Sequence, residues 1–215
     1  MSITLTNLRT RVQRLLQDTS ATTNTQAFYD EKINDAQRIV AEEVHLFATS
    51  STISSVSGTQ RYSLPSDFME LYPTQYPVRY TNATSALIKP CLIDYDLLLE
   101  YDDLTTATGD PTYFFMEEKQ IGFYAIPNYS GSSNITIHYF EYPDSLSNGS
   151  DVSAYSDKWI DALSYKAASL VHLKNERPED AAVMDQLYAA EVGRIAVRTD
   201  QRSNAESKSF NRYLG

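Results

Sequence analysis

Thr52-Ile53-Ser54-Ser55-Val56-Ser57-Gly58-Thr59-Gln60-Arg61-Tyr62-Ser63-Leu64-Pro65-Ser66-Asp67 is the stretch where the chain changes period. On either side of Ser57-Gly58-Thr59, apolar and polar residues alternate as they do in half-buried strands. Gly58 supplies a turn conformation that residues with a Cβ resist. The stretch therefore predicts a β-hairpin, 52–56 against 60–64. Pro65 stops the second strand, and Ser66 or Asp67 can bond back to the local backbone.

Upstream the period is helical. Leu5, Leu8, Val12, Leu15 and Leu16 recur at helical spacing behind Thr4 or Thr6, either of which can accept from a free N–H of the first turn. A polar loop, 18–24, leads to a second helix capped by Asn24 or Thr25. Its apolar stripe is Tyr29, Ile33, Ala36, Val40, Val44 and Phe47. Two such helices with a short link form an antiparallel hairpin.

Downstream, short runs rich in Tyr, Ile and Phe are bounded by Pro and Gly. Strands are expected near 74–80, 86–89, 113–117, 120–126 and 134–142, with a brief helix capped by Asp94. Helix returns after the loop 145–153, on the stripe Trp159, Leu163, Ala167 and Leu170. Asn175-Glu176-Arg177-Pro178 breaks it. A last helix carries Met184, Leu187, Tyr188, Val192 and Ile195 toward Arg198. The fold class is α+β: a helical bundle from both termini carrying an antiparallel β-rich insertion, a small sandwich or barrel. The expected parts are helices over 1–49, the insertion over 50–153, helices over 154–198 and an extended tail over 199–215.

Charge marks the same division. The 215 residues carry a net charge of −10. Between 51 and 157 there are 14 acids against 4 bases, and 12 of the 16 tyrosines lie there too. The flanks are neutral together. From 194 to 215 five bases face two acids, a basic strip on an acidic protein. No run has the roughly twenty apolar residues that cross a bilayer, so no membrane is expected. The first residues lack the basic and apolar regions of a signal peptide, and a cytoplasm is the expected place of synthesis. The single cysteine, Cys91, excludes an internal disulfide and reads as a small buried apolar side chain.

Catalytic patterns are scarce. His45, His138 and His172 have no paired metal spacing, and His138 is expected on the outer face of its sheet. Glu42, Glu43 and His45 read as a solvated helix face, and so do Asp94, Asp96, Glu100, Asp102 and Asp103, which lack the glycine and register of a calcium loop. There is no G-x-S-x-G elbow and no glycine-rich phosphate loop. Tyrosines in an acidic segment suit sheet packing and protein interfaces better than phosphate recognition. The expectation is a non-enzyme with no metal and no cofactor.

One family matches this order of motifs. Thr52-Ile53, then Gly58-Thr59-Gln60-Arg61-Tyr62-Ser63-Leu64-Pro65-Ser66-Asp67-Phe68-Met69-Glu70-Leu71, resembles a recurrent stretch of tailed-bacteriophage head-to-tail adaptor proteins. Gly109-Asp110-Pro111-Thr112-Tyr113-Phe114 and Ile121-Gly122-Phe123-Tyr124-Ala125-Ile126-Pro127 are similar to it too. So are the helical Leu8-Arg9-Thr10-Arg11-Val12-Gln13-Arg14-Leu15-Leu16 and Asn34-Asp35-Ala36-Gln37-Arg38. The resemblance implies a helical body with a β insertion, assembled as a homo-oligomeric ring, typically a dodecamer, under the portal protein of the capsid. Such a ring extends the DNA channel, lets genomic DNA pass without specific binding, and receives the tail or its nozzle protein. It implies a place in the virion neck after assembly in the host cytoplasm.

The family's C-terminal segment commonly docks on the portal. By position and composition the anchoring residues here would be Arg194, Arg198, Arg202, Lys208, Phe210, Arg212, Tyr213 and Leu214. Two other readings stand beside this one. They are a tail-completion or baseplate structural protein, and a cytosolic ligand-binding domain or hydrolase using the tyrosine-rich sheet as a pocket.

Overall fold

The computed structural model describes residues 3–18, 23–100 and 106–211, with 198–211 as backbone alone. The chain runs α1 (Leu5–Leu15), α2 (Gln26–Val44), β1 (Ala48–Ser55), β2 (Arg61–Ser63), β3 (Phe68–Leu71), β4 (Val78–Thr81), β5 (Leu87–Ile88) and β6 (Cys91–Leu92). It continues through α3 (Tyr95–Leu98), β7 (Thr108–Gly109), β8 (Tyr113–Glu117), β9 (Gln120–Tyr124), β10 (Ile126–Pro127) and β11 (Gly131–Glu141). A 3₁₀ turn (Asp157–Trp159), α4 (Ile160–Lys174) and α5 (Pro178–Asn211) complete it. These elements form two compact units. Met1–Val44 with Pro143–Gly215 is helical, and His45–Tyr142 is β.

In the helical unit α4 is the central element, packed by α1, α2 and α5. Its buried residues, Ala162, Leu163, Ser164, Ala167, Ala168, Ser169, Val171 and His172, run around more than one face and are mostly small. Small side chains let three helices approach closely. Thr4 caps α1 by accepting from the Asn7 N–H at 3.2 Å, and Leu5, Leu8 and Val12 are buried as their spacing requires. Asp18 closes the α1–α2 link. It accepts from the Thr23 and Asn24 N–H groups, each at 3.2 Å, and from the Tyr29 hydroxyl at 2.6 Å. Burial and this bond push the Tyr29 hydroxyl up to about 12.

The segment 143–153 also belongs here. Asn34 holds the Leu146 backbone in both directions, at 2.8 and 3.0 Å, and Gln37 takes the Ser153 hydroxyl at 2.6 Å. The expected insertion ran to 153; these bonds tie its last eleven residues to α2.

The β unit has two larger sheets that share one core, beside the two-stranded pair β7–β10. The first has order β1-β11-β4-β5, with β3 also on β11; the second has order β2-β9-β8-β6. Ile135, Ile137 and Tyr139 alternate inward from β11. They meet Val78 and Tyr80 of the first sheet and Tyr62, Phe114, Ile121 and Phe123 of the second. Asn134 is buried at the end of this row. Its Oδ1 accepts from the Ser55 N–H at 2.8 Å, and its Nδ2 donates to Ser55 Oγ at 2.8 Å and to the Thr81 carbonyl at 3.1 Å, linking three strands.

The expected hairpin does not form. β1 pairs with β11 and β2 with β9, in different sheets. The turn between them redirects the chain instead of returning it. The Gly58 N–H (φ +80°) donates to the Pro127 carbonyl at 2.9 Å, and Tyr62 Oη accepts from the Val56 N–H at 3.2 Å. Period-two patterning sets which side is buried, and says nothing about which strand is the neighbour.

Other expectations also changed. Of the strand expected at 74–80 only the end forms, as β4 from Val78; 72–75 are an exposed link from β3, which the sequence reading did not expect. Two pairings, β6–β8 and β7–β10, are parallel. α2 ends at Val44, so Phe47 is off its stripe. Cys91 is exposed, because β6 is an edge strand too short to be covered. α5 does not stop near Arg198: the backbone stays helical to Asn211, where no proline interrupts it.

One close approach tests this packing. Gly122 sits beneath the Phe115 ring, and a Cβ built there would lie 2.1 Å from Phe115 Cζ. Phe115 is fully buried with Leu98 beneath α3 and cannot swing away. Gly122→Ala is expected to lower stability by about 1–3 kcal/mol, as over-packing does; urea unfolding monitored by near-UV circular dichroism measures it.

Candidate functional site

α5 is the element on which the anchoring residues were expected. Its root is held by a polar cluster. The Tyr188 hydroxyl donates to a Glu43 carboxylate oxygen near the end of α2. Lys166 of α4 lies 5.1 Å from the Tyr188 ring centre and 3.4 Å from Asp185 Oδ1. Burial, then the Glu43 bond, drives the Tyr188 hydroxyl far above its ordinary value, so it is a permanent donor. Ala181, Tyr188 and Ile195 form the buried stripe. Beyond Ile195, Val197 is 55 % exposed and the helical backbone runs on.

Of the eight expected anchor residues, Arg194 is exposed and pairs with Glu191 on the same helix, its Nε donating at 2.8 Å. Arg198, Arg202, Lys208 and Phe210 lie on the helical backbone of α5, with side chains outside the description. Arg212, Tyr213 and Leu214 fall outside the described residues. The strip is thus a helical segment over most of its length where an extended one was expected.

Several titratable groups that the sequence singles out are tied into local structure. His45 is not on α2; at φ +51° it lies just past the helix end, its Nε2 2.8 Å from Glu70 Oε1 and its ring against Phe140. Asp94 caps α3, accepting from the Asp96 N–H at 3.1 Å. His138 points to the face opposite Ile137 and Tyr139, its Nε2 buried and without a bond partner. Arg61 spans Glu117, at 2.7 Å, and the rings of Tyr95 and Phe115. Among the described residues no three His, Cys, Asp or Glu side chains are grouped to hold a metal ion. No described helix is long and apolar enough to cross a membrane.

A helical unit and a β unit inserted into it are the arrangement that the resemblance implies, and a family model decides the matter: the SU10 adaptor protein model matches residues 3–209. The chain belongs to that family. It is therefore a phage head-to-tail adaptor, a structural protein of the virion that joins other phage structural proteins. No curated protein matches the chain.

Two features of this adaptor escaped sequence reasoning. The Tyr188–Glu43 contact spans 145 positions, and the nearest signal was a polar hydroxyl inside an apolar stripe. The second is a set of exposed leucines near α3, described below.

His172 offers a pH test of the helical unit. Burial holds its imidazole below the ordinary 6.5, Asp180 opposes this at 3.9 Å, and Arg177 adds to it. The unfolded chain takes the proton more readily than the folded one. Stability is therefore full above about pH 6.5 and falls as the pH drops below it, levelling off once both states are protonated. His172→Gln is expected to flatten that step in urea midpoints between pH 7.5 and 5.

Proposed function

We propose that this adaptor forms a closed ring, typically of twelve copies, under the capsid portal. The ring extends the DNA channel and receives the tail or nozzle protein below. The observation that carries the proposal is the family match over nearly the whole chain. Ring geometry, portal and tail-side partner are proposed from what such adaptors do. A heterologous contact repeated around an axis gives a ring when its rotation closes.

The C-terminal strip is proposed as the portal anchor. Ile195 is the last buried side chain described, yet the helical backbone continues to Asn211. Sixteen further residues span about 24 Å at 1.5 Å each. A helix that short gains most of its stability from packing, which on this reading the portal supplies. Arginines and aromatic side chains, which this strip has in Arg198, Arg202, Phe210, Arg212 and Tyr213, are enriched among residues that dominate interface energy. Deleting 199–215 should leave the melting curve of the body unchanged and abolish co-sedimentation with portal rings. Phe210→Ala with Tyr213→Ala should weaken attachment by about 2–4 kcal/mol. Undiminished binding by the truncated protein would move the contact to the helical body.

The β unit, 45–142, holds eleven acids against four bases. A channel wall of that sign repels phosphate and lets a duplex slide. The lumen is accordingly proposed to be acidic or neutral. In a filter assay at physiological salt the purified adaptor should not retain duplex DNA; tight retention would contradict the proposal, since it needs a basic surface.

A further inference from the structure

Four large apolar side chains lie exposed in one short segment of the β unit. Leu87, Leu92, Leu97 and Leu99 leave 53 %, 60 %, 54 % and 58 % of their surfaces to solvent. Single exposed leucines are ordinary; four within thirteen residues mark an interaction site. Local structure forces the exposure. α3 is one turn, and Leu98 is its inward residue, buried against Phe115. Its neighbours in sequence, about 100° around the helix on either side, must then face out.

Leu92 is exposed for a different reason. β6 is the last strand of its sheet. The Cys91 and Ile93 N–H groups donate to the Thr112 and Phe114 carbonyls of the β8 side, at 3.1 and 2.9 Å. Strand alternation turns the Leu92 N–H and carbonyl to the open side, and an open edge can pair with an incoming chain.

The surroundings are acidic. Asp94, Asp96 and Glu100 are exposed on the same segment. The one base between 87 and 100, Lys89, is 5.3 Å from the Tyr76 ring centre. Exposed leucines interleaved with exposed carboxylates on one segment favour a basic partner and repel an acidic one.

We propose that 87–99 is the docking surface for a basic, leucine-rich amphipathic segment of a tail-side structural protein. Only the words "tail-side" rest on the function proposed above; the chemistry of the partner rests on this surface. The segment is not part of the portal anchor, so the two contacts separate by mutation.

Cys91 is the sole cysteine, exposed in the middle of the segment, and reports on occupancy. The full-length protein is titrated with a fluorescent synthetic amphipathic peptide of leucine and lysine, and Cys91 alkylation is timed alongside. The expected result is saturable binding with alkylation slowed several-fold. A peptide with glutamate for lysine should not bind. Leu92→Ser with Leu97→Ser, which removes only exposed side chains, should weaken binding about tenfold, about 1.4 kcal/mol, with the melting curve unchanged. Equal binding of both peptides, or of both proteins, overturns the proposal. So does alkylation that is slow without peptide, depends on protein concentration and is relieved by deleting 199–215. That outcome would give the surface to the basic strip of a second copy. Portal co-sedimentation keeps the readings apart: the double variant is expected to lose peptide binding and retain portal attachment, whereas a wild-type protein that binds the lysine peptide at 87–99 yet fails to attach to portal rings would count against the portal-anchor reading alone.

Discussion

The architecture depends on the antiparallel pairing of the first and last strands of the β unit. β1 and β11 run side by side from Ala48↔Phe140 to Ser55↔Gly131. Entry and exit of a 98-residue unit therefore meet at one place. A chain that leaves a helical bundle and returns to it at neighbouring points costs that bundle only the closing of a loop, and closure entropy grows slowly with loop length. β11 does more than zip the unit shut. At eleven residues it is the longest strand, and it also pairs with β3 and β4. Its inward residues Ile135, Ile137 and Tyr139 are three of the nine buried residues between the sheets. Tyr139 is fixed by donating to Asp67 Oδ1 at 3.0 Å.

The helical unit solves a different problem, that of fixing the root of a long helix. α4 gives α5 a bed of small residues, and the Glu43–Tyr188–Lys166–Asp185 cluster fixes the root of α5 against α2 and α4. Polar groups tied across three helices set register better than apolar contacts alone, because a buried hydroxyl or carboxylate left unpaired is costly. Glu43, Lys166 and Asp185 thus serve packing and register in this structural adaptor.

Periodicity carried most of the architecture. Tyr29, Ile33, Ala36 and Val40, spaced four, three and four apart, place one face of α2 in the core. Ile135, Ile137 and Tyr139, spaced by two, do the same for β11. Caps were legible because they are local: Thr4 and Asp94 act within three residues of themselves. Pairing was not legible. Nothing in 52–64 says that Tyr62 faces a second sheet, because the residues that decide it, such as Ile121 and Pro127, lie some sixty positions away. Cys91 and the exposed leucines were missed for a related reason. β6 is two residues long and α3 four, too short for any period to show. The end of α5 was misjudged because polar composition suggested a tail, whereas a polar run without proline or glycine can continue a helix already started.

The central claim is that this chain is a ring-forming adaptor. It is tested most directly by electron microscopy of the purified protein mixed with portal rings. The account predicts one closed ring of adaptor copies coaxial with each portal, and a channel that continues through both. Portals that remain bare at saturating adaptor, beside adaptor that stays monomeric, would contradict it.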